Sequence, residues 1–104
     1  MEITNTEFIG GREIESTLGL VRGSTVRTRN LGRDIFAGLK NIVGGEISEY
    51  TKLMADSREQ ALQRMLEDAK NIHADAVINV RFTTSTVMQG AAEILAYGTA
   101  VKLK

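Results

Sequence analysis

The chain has 104 residues, with 13 acidic and 13 basic side chains and a formal net charge of zero, which is one domain in size and offers no broad attraction to nucleic acid or an anionic membrane. It has no cysteine, which excludes disulfides and thiolate metal sites, and no proline, which suits long regular elements. No apolar run approaches the ~20 residues that cross a bilayer, and the start Met1-Glu2 lacks the charged and apolar regions of a signal peptide, so a soluble cytoplasmic protein is expected.

Met1 to Arg12 is polar, with a turn signal at Gly10-Gly11. The stretch REIESTLGLVRG then alternates, with Ile14, Leu18 and Leu20 opposite Glu13, Glu15 and Thr17. That is a strand of period two, and Gly23 is read as its end. STVRTRNLGRD reads as a loop or frayed strand end. In RDIFAGLKNIVGG the residues Ile35, Phe36, Leu39, Ile42 and Val43 recur at threes and fours, which predicts a short amphipathic helix with Asp34 at its positive end.

Glu46 to about Ile72 carries the strongest pattern. Ile47, Tyr50, Met54, Ala61, Met65, Ala69 and Ile72 form one stripe, widened by Leu53, Leu62 and Leu66. A helix of this length runs ~40 Å, longer than a small domain is wide. DAVINVRFTTSTV alternates again, with Ala76, Ile78, Val80 and Phe82 against Asn79, Arg81 and Thr83. AAEILAYGTAVKLK is apolar on both faces: Leu95, Tyr97, Val101 and Leu103 on one, Ile94, Ala96, Gly98 and Ala100 on the other. Such a strand is buried on both sides, and the simplest cover for its second face is another copy of the chain. The expected fold is α+β, a single domain over 1–104 in the order strand, short helix, long helix, strand, strand. The sheet is expected to be antiparallel and three-stranded, with the long helix packed on it.

Gly44-Gly45 raises the question of a phosphate cradle. The glycines follow a predicted helix, no lysine comes next, and Glu46 and Glu49 stand where a phosphate would sit. A hinge between two helices fits better, with one glycine taking a positive φ.

RDIFAGLKNIVGGEISEY, SREQALQRM, ADAVINVRF and AYGTAV, in that order, resemble the YbjQ-like family, small bacterial and archaeal proteins of unestablished function that carry a heavy-metal-binding label. The resemblance spans nearly the whole chain and is weakest before Arg12 and between Thr84 and Glu93. It implies a dodecin-like subunit and a ring-shaped homopentamer. The family usually has glycine just before ADAV, where this chain has His73; a left-handed helix cap there would suit histidine less well than glycine.

Transition-metal sites need three or four ligands. Here the candidates are His73, the only histidine, and Asp75, with Asp68 near in sequence. Nucleophilic triads lack an oriented base, and Glu13/Glu15 and Glu67/Asp68 read as solvated faces, so no enzymatic activity is expected. Arg22, Arg27, Arg29 and Arg33 form the stronger lead: loop arginines bind phosphate or carboxylate in bidentate fashion. The competing reading gives them salt bridges between subunits, for example to Asp34 or Glu46 of a neighbour. Tyr50 and Tyr97 read as core or interface residues whose hydroxyls find partners, and Tyr50 is carried as a ligand-orienting candidate. The expected partners are the chain itself and a small anionic ligand bound through Arg27, Arg29 and Arg33. A metal on His73 and Asp75 is the alternative, a purely structural ring the third reading, and no nucleic acid or membrane partner is expected.

Overall fold

The structure, a computed structural model, describes residues 1–28, 42–43 and 46–104, with side chains for 1–27 and 51–104. The strands are β1 (Glu2–Ile3), β2 (Ile14–Thr28), β3 (Ile42–Val43), β4 (Glu46–Ile47), β5 (Ala76–Met88) and β6 (Ala91–Leu103), and the helix α1 is Ser48–Asn71. The main sheet has the order β1-β5-β6-β2. β2 and β5 both run antiparallel to β6, while β1 lies parallel to β5 through Glu2 and Ile3. The α+β class is as the pattern implies, but the sheet is four-stranded and mixed. The extra strand comes from the polar N-terminal segment, which is too short to show a period.

α1 packs on one face of the sheet. Its buried ridge is Ser57, Ala61, Met65 and Ala69, all at 0% exposure, spaced at fours so that they share one face. Of the predicted stripe, Ala61, Met65 and Ala69 lie in this ridge, whereas Ile72 does not: it is 42% exposed, just beyond the last helical turn. Opposite them stand Val21, Val77, Ile94, Ala96 and Ala100. Burial of each larger apolar side chain here contributes about 1.5–3 kcal/mol. The small residues of β6 lie under the helix as their size suggests.

β2 does not stop at Gly23. It continues to Thr28, paired with β6 as far as Ala91. Gly23 sits where the helix backbone meets the strand: a Cβ there would collide with the Met65 nitrogen and the Ala61 carbonyl oxygen. A glycine that reads locally as a turn is required for close approach.

β5 corrects the face assignment. Asn79 has φ 54°, and the register with β6 shifts between Ile78 and Arg81. This bulge turns the strand over. Ala76 and Ile78 therefore pack in a second cluster on the far face, whereas Val80 packs with the helix-side core and Phe82 pairs with Ala96 of that core. The second cluster also holds Ile9, Val101 and Leu103, with Ile14 against it. The far face of β6 is thus covered at its C-terminal end by the chain's own N-terminal segment. Leu95 and Tyr97, farther along, stay partly exposed.

Ile42–Val43 pairs antiparallel with Glu46–Ile47, so the predicted short helix does not reach Ile42, and α1 starts at Ser48. The rest of that segment, from Ile35 to Leu39, and both glycines at 44–45 lie outside the described residues. Among the described residues no helix is long and apolar enough to cross a membrane.

Candidate functional site

The helix-side end of β2 carries the candidate site. Continuation of the strand through Gly23 gives it period two, so Val21, Gly23, Thr25 and Arg27 turn toward α1 while Arg22 turns away. Arg22 and Arg27 therefore do not converge, and the predicted cluster is divided between the two faces. Arg22 is exposed and stands opposite Tyr97 across the sheet. Arg29 and Arg33 lie outside the described residues. Tyr50 is in α1, with its side chain outside the described set.

Arg27 is half-buried. Its Nη2 donates to Gln60 Oε1 of α1 at 2.7 Å. Its Nε is buried with no hydrogen-bond partner among the described residues. Two residues earlier on the same face, Thr25 is 2% exposed, and its Oγ1 also has no partner among the described residues. Ser57, buried in the helix ridge, donates to its own Leu53 carbonyl at 2.7 Å. Among the described residues the ion pairs are Lys102–Asp75 and Lys104–Glu13, and neither involves Arg27. A buried donor left without an acceptor costs about 1–3 kcal/mol, more when the group is charged. Two such donors at neighbouring positions on one strand face form a local deficit of acceptors beneath the helix. Thr25 and Gln60 are absent from the sequence-based candidates, because a strand ended at Gly23 gives Thr25 no face.

His73 and Asp75 are both placed. His73 follows α1 with φ 59°. Its N–H donates to Lys70 O at 3.0 Å, and Ala74 N–H reaches back to Ala69 O at 3.1 Å, a helix stop of the kind glycine usually fills. Asp75 has both oxygens engaged: Oδ2 accepts from Leu103 N–H at 2.9 Å, and Oδ1 from Lys102 Nζ at 3.3 Å. The same ammonium donates to the His73 carbonyl at 3.1 Å. The backbone bond from Leu103, aided by the Lys102 ammonium and the Arg12 charge, holds the Asp75 carboxyl below its usual range. A cation already occupies the place a metal would take, and among the described residues no three His, Asp or Glu side chains gather as a ligand set. These residues do not fit a metal site within one chain; they lock the helix end to β6.

A cleft of about 290 Å³ lies beside β1, lined by Ile3, Thr4, Asn5, Leu62, Val80 and Phe82. It offers no charged side chain and sits at the small end of ligand pockets, which span roughly 300–1,000 Å³.

The family model described as "Putative heavy-metal-binding" (YbjQ) matches residues 1–104. A protein of Halorubrum lacusprofundi, named only as a UPF0145 protein, is 62% identical over 104 residues, which is 100% of both chains. Another UPF0145 protein, from Archaeoglobus fulgidus, is 61% identical over 102 residues, covering 98% of this chain and 94% of its own. The Clostridium novyi UPF0145 protein is 54% identical over 103 residues, 99% of each. A crystal structure of a protein of unknown function from Pediococcus pentosaceus, assigned to the DUF74 family, superposes with a TM-score of 0.66 over 100% of this chain and 98% of that one, at 17% identity. At that identity the likeness speaks for the fold alone.

Proposed function

We propose, from the premise that the chain belongs to the YbjQ family, that this protein acts by binding rather than catalysis. In this reading it is a self-assembling protein, five-fold in the form the family resemblance implies, that takes up a small oxyanion beside Arg27. The observation that carries the reading is the pair of orphaned donors, Arg27 Nε and Thr25 Oγ1. A phosphate- or sulfate-type ion brings several acceptor oxygens to one point and supplies what both lack. Arginine is the suited partner, because its guanidinium stays charged and gives charge-assisted bonds in a fixed fork. Assembly is supported by the apolar Leu20, Val26 and Leu95 on the sheet face away from α1, with Leu20 at 64% and Val26 at 55% exposure.

The test is calorimetric titration of inorganic phosphate and sulfate into the full chain, with native mass spectrometry of protein purified without chelator. Saturable oxyanion binding is expected, weakened about tenfold in Thr25→Val (about 1.4 kcal/mol) and lost in Arg27→Gln, with far-UV circular dichroism unchanged. Binding that is absent, or equal in all three proteins, overturns the oxyanion reading. A reproducible divalent metal mass in the native spectrum, removed by His73→Ala, puts the metal reading in its place.

A further inference from the structure

We infer that the outer edge of β5, from Arg81 to Met88, together with the cleft at its head, docks an extended peptide segment of another protein, one that carries a large apolar side chain with an acid close to it. The inference stands apart from the oxyanion site, which lies on β2, the opposite edge strand.

β5 bonds to β6 on one side throughout its length. On its other side, β1 pairs with Ala76 and Val77 only. The carbonyls of Thr6 and Thr4 then accept the N–H groups of Asn79 and Val80 at 2.9 and 3.0 Å. Val80 N–H thus aims outward, and alternate residues of a strand aim their peptide groups to the same side. Phe82, Thr84 and Thr86 therefore turn their N–H and C=O groups away from β6, with no backbone partner there among the described residues. Every residue from 81 to 88 is exposed. Phe82 to Met88 contains no charge, no proline and no glycine, so the usual guards of a free edge are missing. An extended backbone supplies the alternating donors and acceptors that such an edge matches.

The edge begins at the cleft of about 290 Å³. Ile3, Thr4 and Asn5 form one side of it, and Val80 and Phe82 of β5 with Leu62 of α1 form the rest. Phe82 is thus both a wall of the cleft and the first edge residue with outward peptide groups. A strand added along the edge passes the cleft mouth. Thr4 Oγ1 is already engaged by the Thr6 hydroxyl at 2.7 Å and the Thr6 N–H at 3.1 Å, which leaves the lining mainly apolar. A cleft of this size is small for a free ligand and suits one side chain. In strand addition the backbone bonds give affinity and such a pocket gives selectivity.

Arg81 supplies the charge. Its Nη1 donates to the Asn5 and Val80 carbonyls at 2.7 and 3.1 Å, which holds the guanidinium beside two residues that line the cleft. Its Nη2 has no partner among the described residues, and Arg81 is the single charged residue from Val80 to Met88. A carboxylate on the docked segment meets it through charge-assisted bonds. A second copy of this chain fits less well. Its β5 edge carries no acid to meet Arg81. Its β2 edge is engaged by its own helix, with Arg22 N–H donating to Asp68 Oδ2 at 3.1 Å and Ser24 O accepting from Arg64 Nη1 at 2.6 Å.

The test screens the full chain against a displayed library of random octapeptides, and the selected sequences are then titrated as free labelled peptides by fluorescence polarisation. The selected set should share a residue of leucine or phenylalanine size with an aspartate or glutamate near it. The same screen on Arg81→Glu should exchange that acid for lysine or arginine. Phe82→Lys, which removes an exposed wall of the cleft, should weaken binding about tenfold with circular dichroism unchanged. Thr84→Pro, which removes one outward donor, should do the same. Should the proline unfold the hairpin, amide exchange of the parent gives the same information: bound peptide slows Phe82, Thr84 and Thr86 and leaves Thr83 and Ser85 as they were. A screen that enriches no peptide, or peptides indifferent to Arg81→Glu and Phe82→Lys, overturns the inference. Slow exchange at 82, 84 and 86 in the free protein that is lost on dilution also overturns it, because the edge then belongs to a second copy.

Discussion

His73 holds a left-handed backbone at φ 59°, closing α1 through Lys70 and handing its carbonyl to Lys102. None of that needs an imidazole. A left-handed conformation costs a residue with a Cβ about 1–2 kcal/mol, while glycine gives back about 0.5–1 kcal/mol through the freer unfolded chain. His73→Gly is therefore expected to stabilise the fold by about 0.5–1 kcal/mol, read as a higher urea midpoint at unchanged slope. An unchanged or lower midpoint shows that the side chain makes a contact worth at least the strain. His73 is visible in the sequence as a departure from its family, and its conformation follows from that. Asp75 is not legible in the same way. Its partners are Leu103 and Lys102, 28 and 27 residues distant in sequence, so spacing alone makes it look like a free ligand when it is a fastening.

At the scale of elements, the decisive contact is between α1 and β2 at Gly23. The helix lies so close that a Cβ on Gly23 would also come within 2.6 Å of the Arg64 carbonyl carbon. The atoms in the way are helix backbone, which cannot rotate aside. Gly23→Ala should cost about 3 kcal/mol, at the upper end of overpacking penalties, and circular dichroism should show lost cooperativity on heating. A loss below about 0.5 kcal/mol would mean that α1 rides farther from the strand. The same glycine explains what was hidden in the sequence. Glycine marks either a turn or a close approach, and only the helix opposite decides between them. The two faces of β6 were legible because Ala96, Gly98 and Ala100 are smaller than Leu95, Tyr97 and Val101. The even-numbered apolar residues of β5 looked like one face, yet the bulge at Asn79 splits them between two. A period of two carries no record of an inserted residue. The candidate site suffered from the same error: with β2 ended at Gly23, Arg27 reads as a loop arginine beside Arg22, whereas the continued strand sends it under the helix to Gln60.

The whole molecule is long for its mass. Its radius of gyration is 17.0 Å and its extents are 53 × 27 × 16 Å, against about 13 Å for a compact chain of ~100 residues. Along the β5–β6 hairpin and the matching end of β2, one sheet face carries partly exposed Leu95 and Tyr97 and exposed Val26. A chain of this shape covers less of its own apolar surface than its size permits, so its folding and its association are expected to be linked. If they are, stability depends on protein concentration, by roughly 1 kcal/mol per subunit for each tenfold change, because mass action favours the assembled native state. For a domain of this size that moves the thermal midpoint by about 4–8 °C per tenfold dilution. Leu95→Lys sets the control: the residue lies away from α1, so the lysine head reaches water in a single subunit but is trapped in an interface. The variant should lose the concentration dependence while keeping a cooperative transition. A midpoint that does not move with concentration in the parent would mean that the elongated hairpin is stable alone, and the exposed face of β6 would then need no second copy.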